Sequence, residues 1–274
     1  MALSLVLNHP ALFAGCLFLL LAATLEFGFR LATASRLSAD YARREQVAAS
    51  RDALGVLLSL LLGFTLAMAL PRYDLSRQLV IEEADAIATA GTRAEILPPP
   101  YRENVRELLV RYVAARLEFS STGISREALN DSEAHTNELQ SKLWAQAQAV
   151  ALANPTPITA LFLQSLNELF DLSEKRLAAL ENRIPGTIWV MLVALSMVTC
   201  LMFGFASRSR FWLVSIVTPL MVAVVMGLIA DLDSPRNGFI RTDLSSLERL
   251  ERDLTAQKPP PAPSPTLQSE PGHR

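Results

Sequence analysis

The chain has 274 residues, 51% of them hydrophobic, and a mean hydropathy of +0.28. That is high for a soluble domain and low for a chain lying wholly in a bilayer, so it predicts a membrane bundle plus a sizeable extramembrane part. A net charge of −2 excludes a global electrostatic pull toward nucleic acid, and neither the two cysteines nor the three scattered histidines have the spacing of a disulfide framework or a zinc site.

Ala11 to Phe29 is the first apolar run. Ala32-Thr33-Ala34 after it resembles a signal-peptide cleavage site, but no Lys or Arg precedes the run and it is long for that role. It reads as a retained membrane helix. Glu26 stands four residues before Arg30, the spacing of an interfacial ion pair, while an acidic group facing a water-filled path is the functional alternative. Arg30 to Arg51 is a connector rich in arginine.

The second membrane helix is expected from about Ala53 to Leu70. Its segment Leu57 to Leu70 has no charged side chain, and with its flank it approaches the roughly 20 residues that cross about 30 Å of hydrocarbon. Gly63 and Ala67 form a small-xxx-small pair. The pattern continues past Pro71 as a helix former, with Ala86, Ala90 and Ala94 four positions apart, a stripe that lets a neighbour approach closely. One long element therefore links the membrane to a domain outside it, until Pro98-Pro99-Pro100 stops it.

Three more amphipathic helices follow. Tyr101 to about Phe119 has a stripe of Tyr101, Val105, Leu108, Leu109 and Tyr112. A polar helix capped by Ser125 runs to about Ala153, and Ile158 to Asn182 has a broad apolar face. Pro185-Gly186 marks re-entry into the bilayer. Ile188 to Ala206 and Phe211 to Ala230 are the third and fourth membrane helices, joined by the basic turn Ser207 to Arg210. A turn is expected from Asp231 to Gly238, then a short amphipathic helix with Ser245 and Glu248 at capping-box spacing. The tail from Pro259 is Pro/Ser-rich and expected to be disordered.

The fold class predicted is an all-α membrane protein, four transmembrane helices with an extramembrane helical bundle inserted between the second and third. Its parts are a first transmembrane hairpin over 1–70, the helical domain over 71–185, a second hairpin over 186–231, a turn and short helix over 232–257, and the tail over 258–274. The chain is expected to be a multi-pass membrane protein. The two short connectors are both basic, which by the positive-inside rule puts them in the cytoplasm and the helical domain outside, but Arg72, Arg77, Lys175, Arg176 and Arg183 flank the other side, so the orientation stays open.

Three segments, LLGFTLAMALPRYDLSRQLVIEEADAIATAGTRAEILP (Leu61 to Pro98), ENRIPGTIWVMLVALS (Glu181 to Ser196) and DLDSPRNGFI (Asp231 to Ile240), resemble the bestrophin-like domain family of bacterial membrane proteins in this order. The matching positions are Glu83, Ala84, Ala86 and Ile87, and Asp231, Asp233, Pro235 and Gly238. The family is remotely akin to true bestrophins, pentameric anion channels. The resemblance thus implies a homo-oligomeric channel with its pore on the second membrane helix and Phe64, beside Gly63 and Thr65, as the natural plug. True bestrophins keep their helical domain in the cytosol, opposite to what the arginines indicate here. The acidic calcium clasp of animal bestrophins has no counterpart.

Glu82, Glu83 and Asp85 have two readings. In an oligomer they form an acidic ring that selects cations. Otherwise they are a solvated or arginine-paired face, with Arg77, Arg93 and Arg106 as candidate partners. Asp231 and Asp233 sit at a helix C-terminus, where the macrodipole disfavours anions, so turn chemistry plus an arginine partner is expected; two carboxylates are too few ligands for calcium. No nucleophile elbow, P-loop, dinucleotide fingerprint or HExxH motif occurs, so neither an enzyme nor a cofactor is expected. The expected partners are lipid, ions and further copies of the chain. The rival function is a non-conducting sensor or scaffold whose helical domain binds a ligand or partner.

Overall fold

A computed structural model describes residues 10–34, 41–121, 126–207, 212–233 and 243–256. Every described element is a helix: α1 (Pro10–Ala34), α2 (Tyr41–Ala94), α3 (Tyr101–Ser121), α4 (Arg126–Ala153), α5 (Pro157–Glu181), α6 (Gly186–Ala206), α7 (Trp212–Asp233) and α8 (Ser245–Ala256). Four helices are long and apolar enough to cross a membrane; the apolar stretches fall in α1, α2, the α5–α6 segment Pro157–Ala206, and α7.

Buried apolar side chains form two clusters. One joins α1, the first part of α2, α6 and α7 through Leu21, Leu58, Leu192, Met226 and Ile229. Its closest approach is backbone to backbone. A Cβ on Gly28 would lie 2.2 Å from the Leu201 carbonyl oxygen, and one on Gly204 only 1.9 Å from that of Leu25. Glycine at both positions is what lets α1 and α6 touch without intervening side chains. The other cluster joins the rest of α2 to α3, α4, α5 and α8 through Ile87, Tyr112, Leu143, Phe162 and Leu247. The alanine stripe lies in it, with Ala86, Ala90 and Ala94 all buried.

α2 belongs to both clusters. Its 54 residues run unbroken through Pro71, about 80 Å of helix at 1.5 Å per residue. It ends at Ala94, short of the three prolines, in a turn where Leu97 donates its N–H to the Ala94 carbonyl. α5 starts on a reciprocal cap. The Thr156 hydroxyl accepts from the Thr159 N–H, the Thr159 hydroxyl accepts from the Thr156 N–H, and Pro157 occupies the first turn, where its missing donor costs nothing.

Three expected boundaries are corrected. The Arg30–Arg51 connector is helical at both ends, with α1 reaching Ala34 and α2 beginning at Tyr41, twelve residues before Ala53. The turn beginning at Asp231 is not there, because α7 continues through Asp233; Asp233 finds a donor in the Ile184 N–H at 2.9 Å, which offsets the unfavourable helix end. The Ser245–Glu248 capping box is replaced. The Asp243 carboxylate accepts from both the Ser245 N–H (2.9 Å) and its hydroxyl (3.0 Å), so Ser245 is a donor in the first turn. These bonds hold the Asp243 carboxyl below the usual carboxylate range. The Ser125 cap, the rest of the 234–238 turn, the 208–210 turn and the tail lie outside the described residues.

α8 lies along α2 and α3 by its apolar side. Leu247 is fully buried, Leu254 Cδ2 sits 3.5 Å from where a Gly91 Cβ would stand, and Arg106 Nη2 donates to the Leu254 carbonyl at 3.2 Å. Leu247→Ala removes the main anchor of a 12-residue helix too short to stand alone. A loss of about 2 kcal/mol is expected. Amide exchange should speed up in α8 before anywhere else, and uniform protection across α8 in the variant would contradict this anchoring.

Candidate functional site

The two sides of α2 differ in what they meet. Leu58, Leu62, Thr65 and Ala69 recur at three- and four-residue spacing and are buried inside the protomer. The opposite side is left open by the described residues. Ala53, Val56, Leu60, Gly63, Phe64, Ala67 and Pro71 are all exposed on it. Phe64 is 60% exposed, and nothing lies within 4 Å of a Cβ on Gly63. Thr65 points inward, 5% exposed, its hydroxyl donating to the Leu61 carbonyl at 2.7 Å. Of the three gate candidates, therefore, Gly63 and Phe64 share the outer face and Thr65 does not.

Past Pro71 the outer face keeps its register and changes chemistry. Asp74, Gln78, Asp85 and Thr89 are exposed, and Glu82 is half-buried. Gln78 Nε2 donates to Glu82 Oε1 at 2.7 Å, one turn along the same face. Asp74 escaped the sequence reading, though seven residues, two helical turns, separate it from Ala67.

Glu83 lies on the inner side. Its carboxylate is 0% exposed and is gripped at both oxygens, Arg116 Nε to Oε1 at 2.5 Å and Arg176 Nη1 to Oε2 at 2.5 Å. Arg116 and Arg176 are 3% and 6% exposed. The partners are thus not Arg77, Arg93 or Arg106: Arg93 donates to the Leu161 carbonyl and Arg106 to that of Leu254. Arg176 Nη2 also donates to the Ser120 hydroxyl, and the Arg116 guanidinium stacks 4.8 Å from the Phe119 ring centroid. Tyr112 borders the cluster, its hydroxyl accepting from Gln140 Nε2 at 3.4 Å; burial, then the Glu83 charge, push its phenol up from its ordinary value. The triad joins α2, α3 and α5. A signal for it was present: Arg116 continues the Val105–Leu109–Tyr112 stripe, and Arg176 the Phe162–Leu166–Leu169 stripe.

Asp233 and Asp231 close the other end of the membrane cluster. Arg72 Nη1 stands 3.9 Å from Asp233 Oδ1, the oxygen that accepts from Ile184, and Asp231 is buried. Among the described residues no three His, Cys, Asp or Glu side chains gather where a metal ion could be held. Glu26 pairs with Arg30 at 2.8 Å along α1.

These features define a class, the multi-pass helical membrane protein whose longest helix has an exposed outer face. The model of the bestrophin-like domain matches residues 15–247, and the chain belongs to that family. Solved structures of a bacterial bestrophin homologue from Klebsiella pneumoniae share its fold. One substituted form aligns with a TM-score of 0.66 at 17% identity over 89% of this chain and 99% of that one. Another aligns with a TM-score of 0.65 at 15% identity over 88% and 95%. No curated protein matches in sequence. The chain is therefore a multi-pass helical membrane protein of the bestrophin-like family.

Proposed function

We propose that the chain assembles as a homo-oligomeric ion channel of a bacterial cytoplasmic membrane, with the outer face of α2 lining the pore. In this reading α1, the first part of α2, α6 and α7 span the bilayer. The rest of α2 with α3, α4, α5 and α8 forms a helical bundle outside it. The carrying observation is the outer face of α2 itself. It has no partner among the described residues, and in one register it carries the apolar segment around Phe64 and then Asp74, Glu82 and Asp85. Copies arranged around an axis would bring Phe64 together as an apolar constriction and the acids together as rings that favour cations. Glu83 has no part in such a ring, because its charge is neutralised inside the protomer.

Ion flux through purified protein in liposomes tests the reading. Phe64→Ala is expected to raise flux by widening the constriction. Asp85→Asn is expected to lower cation flux relative to anion flux while leaving stability unchanged, since surface substitutions cost within about 0.5 kcal/mol. A monomer in detergent, or no flux from any well-folded form, would replace the channel with the sensor or scaffold reading.

A further inference from the structure

We infer that the backbone carbonyl of Ala67 is a pore ligand for a partly dehydrated alkali cation, freed for that role by Pro71. This rests on the α2 pore reading above. In an α-helix the carbonyl of one residue accepts from the N–H four positions later, and proline has none. Pro71 lies inside α2, so the Ala67 oxygen loses the donor it would otherwise have four residues on. The proline ring also crowds that oxygen and pushes it away from the helix axis.

The position of this oxygen decides what it meets. Ala67 and Pro71 are both exposed on the outer face, in register with Leu60 and Phe64. Ala67 comes three residues after Phe64, about 4.5 Å further along. Among the described residues no side chain donates to it. The Thr65 and Ser59 hydroxyls of the same helix donate elsewhere, Thr65 to the Leu61 carbonyl at 2.7 Å and Ser59 to that of Val56 at 2.8 Å. Facing lipid, a carbonyl short of its donor costs several kcal/mol, and lining a water-filled path relieves that cost. Around an axis, each subunit presents one oxygen at the exit of the apolar constriction. A ring of carbonyl oxygens replaces part of a cation's hydration shell and discriminates by ion size. An anion gains nothing there. Asp74, on the same face two turns on, raises the local cation concentration without touching the ring.

The experiment compares wild type with Pro71→Ala, which restores the N–H and occupies the Ala67 oxygen. Full-length protein in planar bilayers is bathed in Na⁺, K⁺, Rb⁺ or Cs⁺ under bi-ionic conditions. Wild type is expected to distinguish these cations. Pro71→Ala is expected to lose that distinction while keeping its preference for cations over anions, which the acids set. A conducting wild type that treats the four cations alike, or a variant whose order of permeability is unchanged, overturns the carbonyl ligand and leaves the pore reading standing. A silent wild type overturns both. Should Pro71→Ala fail to fold, diffraction from wild-type crystals grown in Tl⁺ decides: anomalous density on the axis level with Ala67 supports the ligand, and its absence at high occupancy elsewhere overturns it.

Discussion

Glu83→Gln is expected to destabilise the protein by about 3–5 kcal/mol, the cost of leaving buried charge uncompensated. Glutamine keeps the shape of the side chain and loses the charge that holds two buried guanidinium groups. Among the described residues Arg116 and Arg176 pair with no other carboxylate; Ser120 and the Phe119 ring supply neutral contacts. With solvent excluded from all three side chains, screening gives little relief. Denaturant unfolding of the purified protein, followed by its helical signal, gives the magnitude. Replacing Glu83, Arg116 and Arg176 together by methionine should recover most of the loss, because it removes the buried charges as a set. A neutral Glu83→Gln would mean that the arginines are compensated in some other way. The same result explains why this glutamate is a poor probe of permeation: any change of flux would report damage to the bundle.

Gly204→Val is expected to cost about 3 kcal/mol or more and to weaken the packing of α1 on α6. A first side-chain carbon at that position falls 1.9 Å from the Leu25 carbonyl oxygen and 2.9 Å from the Phe29 nitrogen. Backbone atoms cannot swing aside as a side-chain tip does, so the helices must separate along their length. Gly63→Ala is the control, with nothing within 4 Å of the new methyl. It should be neutral or slightly stabilising, since alanine is the better helix former by about 1 kcal/mol. Equal losses for the two variants in a thermal unfolding series would refute a packing origin.

Much of the fold was legible because its elements are long and apolar or long and periodic. The uncharged run from Ala53 to Pro71 and the alanine stripe after it carried the reading of α2 as one helix through a proline. Helix ends were less legible where a distant group decides them. α7 continues to Asp233, whose carboxylate accepts a hydrogen bond from the Ile184 N–H, 49 residues away in sequence. The site was half visible. Periodicity puts Phe64 and Asp85 on one face, yet periodicity alone does not say which face meets a neighbour. That is why Thr65 was grouped with Phe64 and Glu83 with Asp85. The partners of Glu83 were hidden for a related reason. Arginine is read as solvent-facing by default, whereas Arg116 and Arg176 sit in the apolar stripes of α3 and α5.

The continuity of α2 has a consequence for how such a gene can change. Phe64 and Glu83 belong to the same uninterrupted helix, so the angle between them depends on the number of residues separating them. Inserting or deleting one codon between them turns one relative to the other by about 100°. Phe64 would swing off the outer face, or Glu83 away from its arginines. Point substitutions along the segment leave that angle alone. The stretch from Phe64 to Glu83 is therefore free to drift in letters and bound in length, and related genes should differ there by replacement and hardly ever by a gap.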